Sequence, residues 1–123
     1  MRFKLILNML IAIHVNAAAQ AAQLARRAGL DVNKVFDAFF DGNMGPASPS
    51  TAMLYKSLDM PADHVNFAAK WMAKDLGYAQ DMAKQYGVDI DLLDDTAADY
   101  AKMLELGLSG QDLSKIAQLY KGY

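Results

Sequence analysis

Lys4 and Asn8 are a pair of residues whose types and spacing could do chemistry. Four residues apart in a helix, they share one face and lie about one turn from each other. A lysine that a neighbouring domain removes from water has a lowered pKa, and catalytic lysines reach about 7–8, where they exchange protons at neutral pH. The pair is therefore a candidate acid–base site. The alternative is a surface lysine whose stem lies along the helix, followed by a polar interruption.

The element that must position this pair is a long helix at the start of the chain. Apolar residues recur there at steps of three and four, which predicts one continuous apolar stripe. The stripe is Ile6, Leu10, Ile13, Ala17, Ala21, Leu24 and Ala28. No charged residue occurs from Leu5 to Ala25, which is also typical of a secretory signal or a membrane span. Polar residues interrupt the run, so we expect a helix buried on most of its sides; they are Asn8, His14, Asn16 and Gln20.

The rest of the chain predicts four or five further helices and no strand. One helix follows Asp31 as its N-cap and ends at Asp41-Gly42, and a short helix over 51–58 follows an irregular stretch at 42–50. Longer helices are predicted over about 67–86, ending at Gly87, and over 91–106, capped by Asp91. A last helix opens at Ser109, with Asp112 three residues on as a capping partner, and runs through Tyr120. The prediction is one all-α domain, residues 1–123, with five to six helices around one long alanine-rich N-terminal helix.

The residues expected to face the core follow the same periodicity. In the helix over 67–86 they are Met72, Leu76, Ala79, Met82 and Tyr86. In the helix over 91–106 they are Leu92, Thr96, Tyr100, Met103 and Leu104.

Composition excludes several classes of function. The chain has no cysteine, so a thiolate zinc site, a disulfide framework and a cysteine nucleophile are excluded. A net charge of −2 gives no general reason to expect nucleic acid or an anionic membrane as a partner. We expect a cytoplasmic protein.

Three other patterns fit a function less well than a structural role. Residues 24–36 have the alanine, glycine and valine spacings of a helix-turn-helix, but two aspartates and one lysine are a poor surface for DNA phosphates. The aspartates between Asp89 and Asp99 lack the glycine and the ligand spacing of an EF-hand, since Leu93 and Asp94 occupy those places. His14 and His64 have no partner at metal-ligand spacing, so no metal site is predicted.

Three stretches in order resemble the helical domain of the 3-hydroxyisobutyrate dehydrogenase family, which includes tartronate semialdehyde and succinic semialdehyde reductases. They are Lys4-Leu5-Ile6-Leu7-Asn8 followed by Gly29-Leu30-Asp31, then Phe67 with Met72-Ala73-Lys74-Asp75-Leu76-Gly77, and Asp112-Leu113-Ser114. The resemblance extends over nearly the whole chain and implies a domain like the C-terminal one of 6-phosphogluconate dehydrogenase. Two positions depart from the family pattern: Leu7 stands where the first of two asparagines is usual, and Gln20 where a glutamate is common.

The resemblance implies roles for four residues. Lys4 would be the catalytic acid–base, Asn8 would orient the substrate, and Lys74 and Phe67 would contact the cofactor, NAD or NADP. From the residues themselves, Phe67 fits a plain core position and Lys74 half of a surface charge pair. Asp75 is expected to support Lys74 or a nearby helix end.

The glycine-rich dinucleotide fingerprint, which the family carries on an N-terminal Rossmann domain, is absent from these 123 residues. The sequence therefore leaves two hypotheses open. In the first, the chain is the C-terminal domain of an NAD(P)-dependent β-hydroxyacid dehydrogenase or semialdehyde reductase, inactive without its own Rossmann domain and acting on a small hydroxyacid or semialdehyde. In the second, it is a non-catalytic helical dimerisation module. Both predict a homodimer or a higher oligomer.

Overall fold

A computed structural model of the chain describes residues 1–40 and 48–120, apart from the side chains of Phe39 and Phe40. Within that range, five α-helices and one 3₁₀ helix are present and no strand. They are α1 (Arg2–Arg27), α2 (Val32–Phe40), α3 (Pro49–Ser57), α4 (Ala69–Gln85), α5 (Asp91–Glu105) and a C-terminal 3₁₀ helix (Leu113–Tyr120). The predicted all-α class is confirmed, with the long first helix in contact with every other helix. The predicted stop at Asp41-Gly42 and most of the stretch 42–50 lie outside the described residues.

The face of α1 that packs into the core differs from the predicted apolar stripe, so that prediction is wrong. Ile6, Leu10 and Leu24 of the stripe are 47%, 45% and 71% exposed. The buried face combines small residues with three amides: Leu5, Asn8, Ala12, Val15, Asn16, Ala18, Ala19, Ala22, Gln23 and Ala25. The alanines let neighbouring helices approach α1 closely, and the larger apolar side chains are left on its outer side.

Each buried amide of α1 donates a hydrogen bond to a different element. The pairs are Asn8 Nδ2 to Asp75 Oδ2 at 2.7 Å, Asn16 Nδ2 to Asp99 Oδ2 at 3.0 Å, and Gln23 Nε2 to the Ala117 carbonyl at 2.8 Å. A buried amide without a partner costs roughly 1–3 kcal/mol, so these bonds decide which face of α1 turns inward. In the described range α1 is long and apolar enough to cross a membrane, a test that the core helix of a folded domain passes as well.

α3, α4 and α5 begin and end close to their predicted positions, whereas the last helix is a 3₁₀ helix that begins at Leu113 and not at Ser109. α3 starts two residues early because Ser48 caps it, accepting a hydrogen bond of 3.1 Å from the Thr51 amide. α4 lies inside its predicted range, and the positive φ of +69° at Gly87 follows its end as expected. Asp91 is the first residue of α5 rather than its cap, and no side chain caps that helix.

Some predicted core positions on α4 and α5 are exposed. Met72, Leu76 and Ala79 are buried as predicted, but Tyr86 is 55% exposed at the end of α4. On α5, Thr96, Tyr100 and Met103 are buried. Leu92 and Leu104 are 64% and 37% exposed, and Leu93 is buried in the place expected for Leu92.

Asp112 ties the loop before α4 to the C-terminal 3₁₀ helix. Its Oδ1 accepts hydrogen bonds from the backbone amides of Asn66 at 2.9 Å and Phe67 at 3.0 Å. Its Oδ2 accepts from the amide and the hydroxyl of Ser114. The backbone completes the junction, since the Leu113 amide donates to the Phe67 carbonyl at 2.8 Å. The carboxylate, itself fully buried, therefore fixes where α4 begins.

The predicted capping pair of Ser109 and Asp112 does not form. The Ser109 carbonyl instead accepts a hydrogen bond from the Lys70 amide in the first turn of α4. Burial raises the pKa of Asp112, but the hydrogen bonds from Ser114, Phe67 and Asn66 outweigh burial and hold the pKa below its ordinary value of 3.8.

Replacing Asp112 with Asn is expected to lower the free energy of unfolding by about 1.5–3 kcal/mol, because the amide cannot accept all four hydrogen bonds. The folded pKa is depressed, so the contribution of the carboxylate is present above the unfolded pKa and is lost as pH falls through the folded pKa. Urea unfolding at several pH values measures both effects. Asp81→Asn, at an exposed position on α4, is the control. A difference from wild type that stayed constant down to strongly acid pH would contradict the assignment.

Candidate functional site

Lys4 and Asn8 on α1 meet Asp75 on α4, and the three polar groups form one cluster. Asn8 Nδ2 donates to Asp75 Oδ2 at 2.7 Å, and Lys4 Nζ lies 3.7 Å from the same oxygen. The second distance is that of an ion pair rather than a hydrogen bond. One carboxylate oxygen therefore serves both residues that the sequence pairs on a helix face.

The members of the cluster differ in their exposure. Asn8 is buried, and the side chain of Asp75 is 13% exposed, whereas that of Lys4 is 61% exposed. The amide and the carboxylate thus form a fixed base at the helix contact, and the ammonium reaches out from it. A surface ion pair of this kind contributes only about 0–1 kcal/mol to stability, so its geometry matters more than its strength.

Asp75 is the member of the cluster that sequence reasoning missed. The sequence predicts that Asp75 supports Lys74 or a nearby helix end. Adjacent residues in a helix point about a quarter-turn apart, so Asp75 faces the first turns of α1 and not Lys74. Helix geometry alone indicates this orientation, since Asp75 shares a face with Trp71 and Ala79 and not with Lys74. Asn8 lies 67 positions from Asp75 in the sequence, and residue spacing does not indicate that the two meet.

Lys74 lies on the exposed side of α4, away from the contact with α1. Its Nζ is 5.8 Å from the centroid of the Trp71 ring and 5.9 Å from that of Tyr78. It makes no salt bridge with any residue of the described ranges, so the predicted half of a surface charge pair has no partner there.

Phe67 precedes α4 and belongs to the junction around Asp112. Its backbone makes two hydrogen bonds there, and its half-buried ring packs against the core. The structure thus gives Phe67 the contacts of a core residue, with part of its surface left open. A role in contacting the cofactor stays a prediction, as do the roles assigned to Lys4, Asn8 and Lys74.

The ammonium end of the cluster around Lys4 is open to solvent. A cavity of about 720 Å³ lies at the other end of α1, lined by Gln20, Gln23, Arg27 and Tyr120 among others. By the rise of the helix, Gln23 is roughly 30 Å from Lys4. Nor do three His, Asp or Glu side chains converge as metal ligands anywhere in residues 1–40 or 48–120. What the cluster offers chemically is one solvent-facing ammonium held beside a carboxylate.

A family model describes the same stretch of sequence. Residues 1–120 match the model for NAD-binding of NADP-dependent 3-hydroxyisobutyrate dehydrogenase. The chain belongs to this family. The match supports the resemblance drawn from the three sequence stretches. No curated protein matched the chain in sequence.

Solved structures of this family share the fold. A 3-hydroxyisobutyrate dehydrogenase from Salmonella typhimurium superposes with a TM-score of 0.87 at 23% identity, over 95% of this chain and 40% of that one. The 3-hydroxyisobutyrate dehydrogenase from Mycobacterium tuberculosis, with L-serine, has a TM-score of 0.74 at 26% identity, over 97% and 42%. The chain therefore spans about two fifths of the length of these dehydrogenases.

The coupling between Asn8 and Asp75 is testable by a double-mutant cycle. Asn8→Ala and Asp75→Ala should each lower the free energy of unfolding, and together they should cost about 1 kcal/mol less than the sum, because each single change leaves the other group without its partner. Urea unfolding of the four proteins gives the coupling energy. A cycle of Asn8 with Asp81, an exposed residue of α4, should give no coupling energy. Additive losses for Asn8 and Asp75 would show that the hydrogen bond does not join α1 to α4 in solution.

Proposed function

We propose that the chain is the C-terminal helical domain of an NAD(P)-dependent dehydrogenase for a small β-hydroxyacid, or of a reductase for the matching semialdehyde. The observation that carries this proposal is the convergence of Lys4 and Asn8 on the Asp75 carboxylate, in a chain of a family described as NAD-binding. Lys4 is the acid–base group, Asn8 orients the substrate hydroxyl, and Lys74 contacts the cofactor.

In the oxidation direction, the uncharged amine of Lys4 removes the proton of the substrate hydroxyl as the carbonyl forms. A bound nicotinamide ring would supply the acceptor for the hydride of the same carbon, and the Lys4 ammonium would carry the proton away. In the reverse direction the ammonium protonates the carbonyl oxygen. Asp75 holds the Lys4 ammonium in place for this proton transfer, because its carboxylate is anchored by the Asn8 amide and lies next to that ammonium.

The chemistry needs a second surface. Lys4 is mostly in water, and proton transfer to a bound substrate requires that water be displaced from around it. These 123 residues carry no dinucleotide fingerprint and match two fifths of their relatives' length. We therefore assign the covering surface to a Rossmann domain of the same enzyme in the cytoplasm, and expect the helical domain to be inactive alone. The unpaired ammonium of Lys74 fits a phosphate-bearing cofactor.

Replacing Lys4 with Ala in the enzyme that contains this domain is expected to reduce kcat by roughly 10²–10⁴, the usual contribution of a general acid–base. The KM for the cofactor should change little, since Lys4 acts on the substrate oxygen. Steady-state kinetics measures both constants.

Lys102→Ala is the matched control, because Lys102 is exposed in the last turn of α5, outside the cluster. Turnover of the Lys4 variant within a few-fold of wild type would exclude Lys4 as the acid–base group.

The exposed stripe of α1 supports a second function, a helical association module. Ile6 and Leu10 leave large apolar side chains in water one turn apart, and Leu24 does so near the other end of α1. Exposed apolar surface of this kind is typical of protein–protein contacts. An association module does not depend on proton transfer by Lys4, so the steady-state kinetics of the Lys4 variant distinguish the two functions.

Self-association through this stripe should be visible in the chain itself. Sedimentation over a range of concentrations is expected to show a homodimer or higher species, and Leu10→Glu should weaken association roughly tenfold or more, because a carboxylate would be buried in an apolar contact. Leu92→Glu, at a 64% exposed leucine of α5, should leave association unchanged. A monomer at every concentration would rule out the module.

A further inference from the structure

A groove of about 520 Å³ lies between the start of α1 and the second half of α4, and the functions proposed above do not use it. Helix geometry separates the groove from the Lys4 cluster, because Arg2 and Lys4 are two positions apart and point to nearly opposite sides of α1. Its lining includes, on α1, Arg2, Ile6 and Met9, then Met82 on α4, and Tyr86 and Val88 just after that helix.

The lining of this groove is mostly apolar. Ala79 is buried, and Met82 and Ile90 pack partly buried against the core. Ile6 and Val88 are 47% and 51% exposed, so they form its rim. Ligand pockets in proteins are typically of this kind, with an apolar lining and a few polar groups that fix the orientation of the ligand. Covering these side chains with an apolar group would be favourable.

The charged group in the lining of the groove is the Arg2 guanidinium. Its central carbon lies 5.7 Å from the centroid of the Tyr86 ring, which is a cation–π contact. A guanidinium has five N–H donors, more than one ring can engage, and two of them can bind a carboxylate side by side. Arg2 forms no salt bridge with any residue of the ranges 1–40 and 48–120. A carboxylate at this position would therefore meet an unpaired cation that Tyr86 helps to position.

The length of the groove favours a particular kind of ligand. The rise of the helix from Arg2 to Met9 is about 10 Å, and the rise from Ala79 to Tyr86 is about the same. An extended alkyl chain of about eight carbons spans that length. A sugar would leave its hydroxyl groups against methionine and isoleucine side chains without hydrogen-bond partners. A straight-chain carboxylate supplies one charge for the guanidinium and methylene groups for the rest of the groove.

We propose that this groove binds a medium-length straight-chain carboxylate, with the carboxylate at Arg2 and the alkyl chain along Met9 and Met82. Methionine side chains suit this role, because they are flexible and adapt to an irregular apolar surface. The site goes beyond the proposed dehydrogenase function and does not depend on it. A ligand bound there spans the contact between α1 and α4 on the side of α1 opposite to Lys4.

The length of the alkyl chain provides the first test. Calorimetric titration of the 123-residue chain with octanoate is expected to show one saturable site with a Kd below about 1 mM. Hexanoate should bind about sixteenfold more weakly, because each buried methylene group contributes about fourfold to the affinity. The absence of saturable binding of octanoate up to about 10 mM overturns the proposal. Equal affinity for hexanoate and octanoate also overturns it, since charge alone would then explain the binding.

Variants with matched controls test the two ends of the groove. Arg2→Gln should raise the Kd for octanoate about tenfold, and Arg27→Gln, at the exposed other end of α1, should leave it unchanged. Val88→Glu should raise the Kd about tenfold or more, because it brings a negative charge to the rim. Val65→Glu, at a valine that is 42% exposed outside the groove, is its control. An equal loss in the Arg27 variant would place the ligand in the cavity at that end of α1 and overturn the proposal.

A second copy of this chain is the alternative occupant of the groove. Sedimentation of the wild-type chain and of Val88→Glu, each with and without octanoate, distinguishes the two occupants. Octanoate that binds the wild-type chain without dissociating its oligomers supports the ligand site. If Val88→Glu dissociates the oligomers and octanoate does not bind the wild-type chain, the groove is a contact between copies and the proposal is overturned.

Discussion

The hydrogen bond from the buried Asn8 amide to the Asp75 carboxylate is the contact on which the candidate site depends. It is the point where α1 and α4 are fixed against each other at the end of the molecule that carries Lys4. The Asn8 amide fixes the Asp75 carboxylate at the contact between the helices. The carboxylate can therefore pair with the Lys4 ammonium while remaining largely buried. Trp71 and Lys74 lie on the exposed side of the same helix. The residues proposed for proton transfer therefore lie where two helices meet at a single carboxylate.

Buried amide contacts of this kind explain why the sequence predicted the fold class but not the inward face of α1. Periodicity counts apolar side chains, and on α1 the larger ones point outward. The inner face is made of alanines and of amides such as Asn16 and Gln23, whose burial is favourable only because partners on α5 and the 3₁₀ helix accept their hydrogen bonds. Those partners lie 83 and 94 residues away, and no local pattern reveals them. Helix ends were predicted more closely, because a residue such as Gly87 acts on its own neighbours.

The candidate site was predictable to the same limited extent. The shared face of Lys4 and Asn8 follows from their spacing, and the family resemblance placed Lys74 with them. Of the two roles predicted for Asp75, support of Lys74 does not occur, since adjacency in sequence does not mean adjacency on a helix surface, and its contacts are at the start of α1. Trp71 gave no sequence signal, because an apolar residue in an amphipathic helix is ordinarily a core residue, and only the packed structure shows it to be half in water.

The central claim is that this chain is one half of a site that a nucleotide-binding domain completes in the same polypeptide. The mass of the native protein in its source cells, measured by immunoblot with an antibody against this chain, tests it most directly. The account predicts a band at roughly twice 13.5 kDa or more, because the matched dehydrogenases are more than twice as long as this chain. A single band at 13.5 kDa would contradict the account and leave a free-standing helical domain.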